Sequence, residues 1–258
     1  MPRHTLAALA LLTLAATQAG NALAADAPAE AASSASDLTL TANVTLASQY
    51  RYRGLMQSNN KPAIQGGFDL AHSSGFYLGN WNSSISWLDD SNSDVSAPVE
   101  MDFYGGYKGN LAQDVPVDLG VLQYYYPGDY PSGYTSPDTT ELYAGIGYGP
   151  LMFKYSLSLT NLFGFADSKH SQYFDLSGNF DTGVWGLTVN AHVGRQLVRN
   201  VDNGNYTDWK LGLTKDFGRG LSVSLAYLDT NADRAVYTNT RGRDMGRATG
   251  LLSLTKTF

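Results

Sequence analysis

Ionisable side chains recur at alternate positions in several stretches of this chain, a spacing that sets them on one face of an extended strand. Arg51 and Arg53 stand two apart, as do Glu100 and Asp102, while Asp69, Glu141, Lys154, Asp175 and Lys210 sit between apolar neighbours in the same rhythm. With Tyr104, whose ring could line a constriction or stack on a sugar-like solute, they form a candidate selectivity set. Cations opposite carboxylates across a narrow passage create a transverse field that orients small polar solutes or ions. The same residues read equally well as salt bridges that plug the interior, because enclosed wall charges need partners whatever the function.

Other chemistry has less support. A lipid-modifying enzyme on such a scaffold needs a Ser/His pair at mid-depth on the outer wall. Beyond the N-terminal segment, His72 falls at a short turn, His170 in a loop, and His192 points inward between Asn190 and Gly194. His192 reads as a polar interior group rather than a base, and no catalytic residue is assigned. Asp90-x-Asn92-x-Asp94 begins like a calcium loop, but Val95 stands where the turn glycine belongs and Met101 where the bidentate Glu belongs. Gly145-x-Gly147-x-Gly149 lacks the dinucleotide spacing. The chain has no cysteine, which removes disulfides and thiolate ligands. No metal and no cofactor is expected.

The elements that carry these residues have period two. Leu38, Leu40, Ala42, Val44, Leu46, Tyr50 and Tyr52 alternate with Thr39, Thr41, Asn43, Thr45, Gln49, Arg51 and Arg53, which predicts one long strand over 38–53. A tilted membrane-spanning strand needs about 9 to 11 residues, against roughly 5 to 6 for the mean globular strand. The pattern recurs to the C-terminus as about 12 strands, an even number, with connections alternating between long and short. That alternation predicts an all-β, transmembrane, antiparallel up-and-down β-barrel over 38–258, with long outer loops, short turns and periplasmic termini.

Placing the apolar phase outside puts aromatics at strand ends. Tyr50, Tyr52, Trp87, Tyr125, Trp209 and Tyr227 fall near the loops, and Tyr77, Tyr107, Tyr148, Trp185 and Phe258 near the turns, as two membrane-interface girdles. In this assignment Trp81 also faces outward, interior glycines such as Gly106 and Gly120 leave room in the lumen, and Arg195, Lys215 and Lys256 are outward cations near strand ends. Phe258 gives the C-terminal aromatic that outer-membrane barrels present to the barrel-assembly machinery. The loop over 229–246, with Arg234, Arg241, Arg243 and Asp244, reads as a gate, a contact for lipopolysaccharide phosphates, or a partner site.

Leu6 to Ala16 is an apolar run too short for a spanning helix, and Ala22-Leu23-Ala24 has the small-x-small pattern, so 1–24 reads as a secretory signal peptide. Residues 25–37 read as a flexible Ala/Ser-rich lead-in. The 43% hydrophobic content and mean hydropathy of -0.22 look like those of a soluble domain, because an apolar belt is averaged against its own polar interior. A net charge of -6 argues against a nucleic-acid binder.

Three segments carry a family resemblance: Ser48-Gln49-Tyr50-Arg51-Tyr52-Arg53-Gly54, Pro62-Ala63-Ile64-Gln65-Gly66-Gly67-Phe68-Asp69 and Ser74-Gly75-Phe76-Tyr77-Leu78-Gly79-Asn80-Trp81. They resemble the N-terminal signature of the TorF-type porin family of proteobacterial outer membranes. The resemblance implies a pore-like outer-membrane protein of Gram-negative bacteria, without naming a solute. A structural or surface-recognition barrel acting through its loops is the alternative.

Overall fold

The computed structural model describes residues 37–258. The expected signal peptide, and all of the lead-in except Asp37, lie outside the described residues. The alternating sequence folds into β1 (Leu38–Ala47), a short hairpin of β2 (Arg51–Tyr52) and β3 (Leu55–Met56), β4 (Ala63–His72), β5 (Phe76–Ser84) and a helical turn α1 (Trp87–Ser91). Then follow β6 (Val99–Ala112), β7 (Val115–Tyr125), β8 (Thr139–Tyr148), β9 (Leu151–Ser158), β10 (Gln172–Asp181), β11 (Leu187–Leu197), β12 (Tyr206–Asp216), β13 (Leu221–Thr230) and β14 (Thr249–Thr257).

Twelve strands, β1 and β4 to β14, pair antiparallel with their neighbours along the chain, and β1 also pairs with β14, from Asn43 opposite Thr257 to Ala47 opposite Ser253. The ring is therefore closed, and no strand is left as a free edge. This is the expected all-β antiparallel barrel. Short turns gather at one end, where Gly75 (φ 99°) and Gly149 (φ 54°) take the left-handed conformation that tight reversals require. Long loops gather at the other.

One apolar side chain in two points outward all round the ring. Leu40, Ile64, Phe103, Leu142, Phe153, Leu176, Val193, Leu211, Leu225 and Leu252 are all exposed, Leu40 at 66% and Leu225 at 61%. Water would oppose a continuous belt of this size; an apolar solvent would not. Two outward cations fold back toward turn carbonyls: the Lys215 ammonium donates to the Trp185 carbonyl and that of Lys256 to the Arg219 carbonyl. Arg195 is exposed at the loop end of β11 and donates to Thr207 Oγ1 at 3.1 Å.

Two expectations fail. The first strand stops at Ala47 instead of running to residue 53, because the chain turns inward there and builds the β2–β3 hairpin. The phase of β5 is also the reverse of that expected: Phe76 and Leu78 are exposed while Tyr77 and Trp81 are buried. Asn80 and Asn82, which look like interior residues in sequence, share the phase of Phe76 and Leu78. They satisfy one another (2.5 Å) and backbone carbonyls, with Asn80 Nδ2 donating to the Asp102 carbonyl at 3.0 Å.

Candidate functional site

The barrel interior collects the inward residue of every strand. From β5 to β11 these are large: Tyr77, Trp81, Tyr104, Tyr124, Tyr143 and Tyr173 are all buried. From β12 round to β1 many are small, among them Gly212, Ser222, Ser224, Ala226, Ser253 and Thr45, beside the larger Lys210, Leu228 and Leu251. Four of these tyrosines cross an interior glycine on a neighbouring strand. Tyr104 lies against Gly79, Tyr143 against Gly120, Tyr77 against Gly106 and Tyr173 against Gly194, so closely that a Cβ at the glycine would collide with the phenol. The glycines expected to leave the lumen open instead seat tyrosines in it.

At the loop end the mouth is filled by the segment around the β2–β3 hairpin. Tyr50 Oη donates to Glu100 Oε1 at 2.6 Å, and Tyr126 Oη donates to Glu100 Oε2 at 2.9 Å. Arg53, 4% exposed, pairs with Glu141 through Nη2 at 2.8 Å and donates from Nη1 to Gln196 Oε1 at 2.8 Å. Its guanidinium also lies 4.1 Å from the Tyr173 ring centroid and 4.9 Å from that of Tyr52. Burial works against the Arg53 charge, but Glu141 together with the Tyr52 and Tyr124 phenol oxygens outweighs it and holds the group well above its usual range.

Arg51 does not face this acidic cluster as expected. It turns to the rim, donating to Gln49 Oε1 (2.9 Å), the Met245 carbonyl (2.8 Å) and Asn60 Oδ1 (2.6 Å). Burial among neutral acceptors pulls its guanidinium down to about 10.

Deeper in the lumen, His192 is bridged by two carboxylates, Nδ1 to Asp175 Oδ2 at 2.9 Å and Nε2 to Asp208 Oδ2 at 2.7 Å. Two acceptors on opposite ring nitrogens suit an imidazolium, which has two donors, and His192 lies in the interior as its phase predicts. Tyr173 Oη donates to Asp208 Oδ1 at 2.9 Å. Nearer the turns, Tyr104 Oη donates to Asp69 Oδ1 at 2.8 Å, and Tyr77 Oη, which also meets the Tyr143 hydroxyl, donates to Asp118 Oδ1 at 2.6 Å. Lys154 Nζ stands 4.0 Å from the Tyr143 ring centroid, and Lys108 Nζ stands 4.5 Å from that of Tyr77. Lys210, opposite His192 on β12, completes this level.

The structure thus brings Arg53, Asp69, Glu100, Asp102, Tyr104, Glu141, Lys154, Asp175 and Lys210 to the interior and moves Arg51 to its rim. Of the aromatics assigned to the outer face, Tyr107, Tyr125, Tyr148, Trp185, Trp209, Tyr227 and Phe258 are exposed. Tyr50, Tyr52, Tyr77 and Trp87 are not on that face. Tyr50 and Tyr77 bond interior carboxylates, Tyr52 bonds the Tyr124 hydroxyl, and Trp87, in α1, packs edge-on against Tyr126. Sequence reasoning missed them because a tyrosine at alternate spacing suits either face of a barrel wall.

The 231–248 loop folds over the mouth. Arg241 pairs with Asp89 at 3.1 Å and Asp90 at 3.0 Å, both in α1, Arg243 donates to the Asn59 carbonyl at 3.3 Å, and the Met56 N–H donates to the Met245 carbonyl at 2.9 Å. Three loops are thereby tied together above the lumen.

Among solved structures, the fold is similar to that of the KdgM porin, with a TM-score of 0.53 at 7% identity over 84% of this chain and 98% of that one. It is also similar to the NanC porin, with a TM-score of 0.51 at 12% identity over 85% of this chain and 99% of that one. A search of curated proteins finds no match. The chain belongs to the bacterial Gcw_chp family, described as being of unknown function, whose profile matches residues 31–258.

Proposed function

We propose that the protein is a porin-like channel of the bacterial outer membrane that passes small polar solutes or ions passively through a narrow, charged lumen. The observation that carries this reading is the closed barrel with an apolar belt outside and ionisable residues lining its interior. In this reading the termini are periplasmic, the exposed Tyr107, Tyr148, Trp185, Trp209, Tyr227 and Phe258 sit at the two interfaces, and the loops stand among lipopolysaccharide. The similarity of the first strands to TorF-type porins supports the same reading, although the family description does not carry that label.

The residues around the β2–β3 hairpin, with Glu100, Glu141 and the tyrosines, form the constriction. Passage runs along the small-residue wall from β12 to β1 or follows movement of the hairpin. The KdgM porin has been solved in complex with disordered oligogalacturonate. Carboxylates outnumber cationic groups in this interior, which makes it a poor match for such a polyanion and favours cationic or neutral solutes.

Single-channel recording of the reconstituted barrel tests the proposal, with folding verified by heat-modifiable gel mobility. Discrete current steps are expected. A sealed bilayer containing folded protein would overturn the channel and leave a structural or surface-recognition barrel, a reading that the tied loops favour.

A further inference from the structure

The buried apolar side chains of the interior form two separate clusters. The larger is the plug, with Tyr50, Trp81, Leu122 and Tyr124 among its members. The smaller belongs to the wall of β1, β13 and β14 and consists of Ala47, Ala226, Leu228 and Leu251. A cavity lies in the seam, bounded by Tyr50 and Trp81 of the first cluster and by Ala47 and Leu251 of the second. It has room for about one water molecule.

Three other polar groups belong to residues around this cavity: the Trp81 indole N–H, the Gln65 side-chain carbonyl and the Ser253 hydroxyl. Among the described residues, none accepts from the indole, none donates to the Gln65 carbonyl and none bonds the hydroxyl. The three residues are 5% exposed or less, yet none of these atoms is sealed from open space. One donor, one acceptor and a hydroxyl that serves as either match an uncharged hydroxyl or amide solute. An ion gains less there, because so narrow a passage strips its hydration. Arg51, the one charged residue of the lining, opposes a cation, and its guanidinium is already engaged by Gln49 and Asn60. Glu100, bonded to the Tyr50 hydroxyl at 2.6 Å, opposes an anion.

We propose that solutes cross the barrel through this seam between plug and wall, and that Trp81, Gln65 and Ser253 select small uncharged hydrogen-bonding solutes there, polyols and amides, over ions. A solute larger than water passes when the Tyr50 and Trp81 rings, which meet edge-on with centroids 5.5 Å apart, shift away from the wall. The proposal rests on the channel reading and adds to it the path and the solute class.

The test uses the absence of cysteine from the chain. In Ser253→Cys, with folding verified by heat-modifiable mobility, the introduced thiol should react with uncharged methyl methanethiosulfonate several-fold faster than with the cationic 2-aminoethyl reagent, after each rate is divided by that for a free thiol. The reaction should lower glycerol flux into proteoliposomes several-fold. Gln65→Leu, which removes the acceptor without adding a thiol, should lower glycerol flux more than potassium chloride conductance. A thiol that stays unreacted in a folded barrel that still conducts overturns the seam as the route and leaves the channel standing. Equal normalised rates for the two reagents, or a native barrel that conducts ions but excludes glycerol, overturns the solute class. Proteoliposomes sealed to both glycerol and ions overturn the channel reading and this proposal with it.

Discussion

The Arg53–Glu141 pair gives the sharpest energetic prediction, because its two members are compensated unequally. Both side chains are buried, at 5% and 3% exposure, and their polar atoms meet at 2.8 Å. Removing one partner of a buried pair costs about 3 to 5 kcal/mol when the other charge is left without support. In Arg53→Met, Glu141 keeps the Tyr124 hydroxyl at 3.4 Å and the electrostatic support of Lys154, so a penalty of about 3 kcal/mol, the lower end of that range, is expected. In Glu141→Gln, Arg53 keeps Gln196 and the rings of Tyr52 and Tyr173. Each ring contact contributes about 0.5 to 2 kcal/mol in a desolvated setting, so the loss falls to about 1 to 3 kcal/mol. The double variant Arg53→Met/Glu141→Leu should lose much less than the sum of the two, as replacing a whole buried pair by apolar groups is often nearly neutral.

Urea unfolding of the barrel in lipid vesicles, followed by tryptophan fluorescence, measures all three variants. The loss is limited by the free energy that docks the hairpin. A penalty above that limit expels the hairpin and appears as a larger channel current instead. Two single variants within about 0.5 kcal/mol of the native protein, with unchanged current and an additive double variant, would refute the placement of the hairpin inside the lumen.

Other expectations follow from the same structure. Leu211→Arg places a cation in the middle of the outer belt and should cost about 2 to 4 kcal/mol in vesicles; no loss would mean that β12 does not face lipid there. Gly194→Ala should push Tyr173 off its seat and break its bond to Asp208, lowering urea resistance, whereas Gly194→Ala/Tyr173→Phe should recover less than Gly194→Ala/Tyr173→Ala, because the ring itself collides. Arg241→Ala removes the tie to Asp89 and Asp90 and should speed proteolysis of the 231–248 loop several-fold while leaving global unfolding nearly unchanged; equal cleavage rates would show that the tie is idle.

Much of this architecture was legible in the residues. Period-two alternation and the alternation of long with short connections predict twelve strands, a closed ring and which end carries the loops, and most charged residues of β4 and β6 to β12 face inward as their phase requires, Arg195 and Lys215 near strand ends being outward. The failures have physical causes. In β5, Asn80 and Asn82 bond each other and backbone on the outer face, so polarity misreads the phase and sends Tyr77 and Trp81 to the wrong side. After Ala47 the alternation Tyr50-Arg51-Tyr52-Arg53 continues unbroken through a hairpin that has left the wall, and period two cannot distinguish a strand in a barrel from a strand folded into it. Gly54, at φ 77° and pressed against Thr230 and Asp208, marks that departure and is the signal that could have revealed it. The seating of tyrosines on glycines depends on register between strands, which alternation along one strand does not specify.

The most direct measurement is the single-channel current of the native barrel beside a variant in which residues 50–57, spanning the hairpin, are replaced by a Gly/Ser linker of equal length. The account predicts a small native current and one several-fold larger in the variant, because the linker empties the mouth of Tyr50, Tyr52 and Arg53 while leaving the twelve-stranded ring intact. A sealed bilayer for both, with each protein folded by its heat-modifiable mobility, would contradict it.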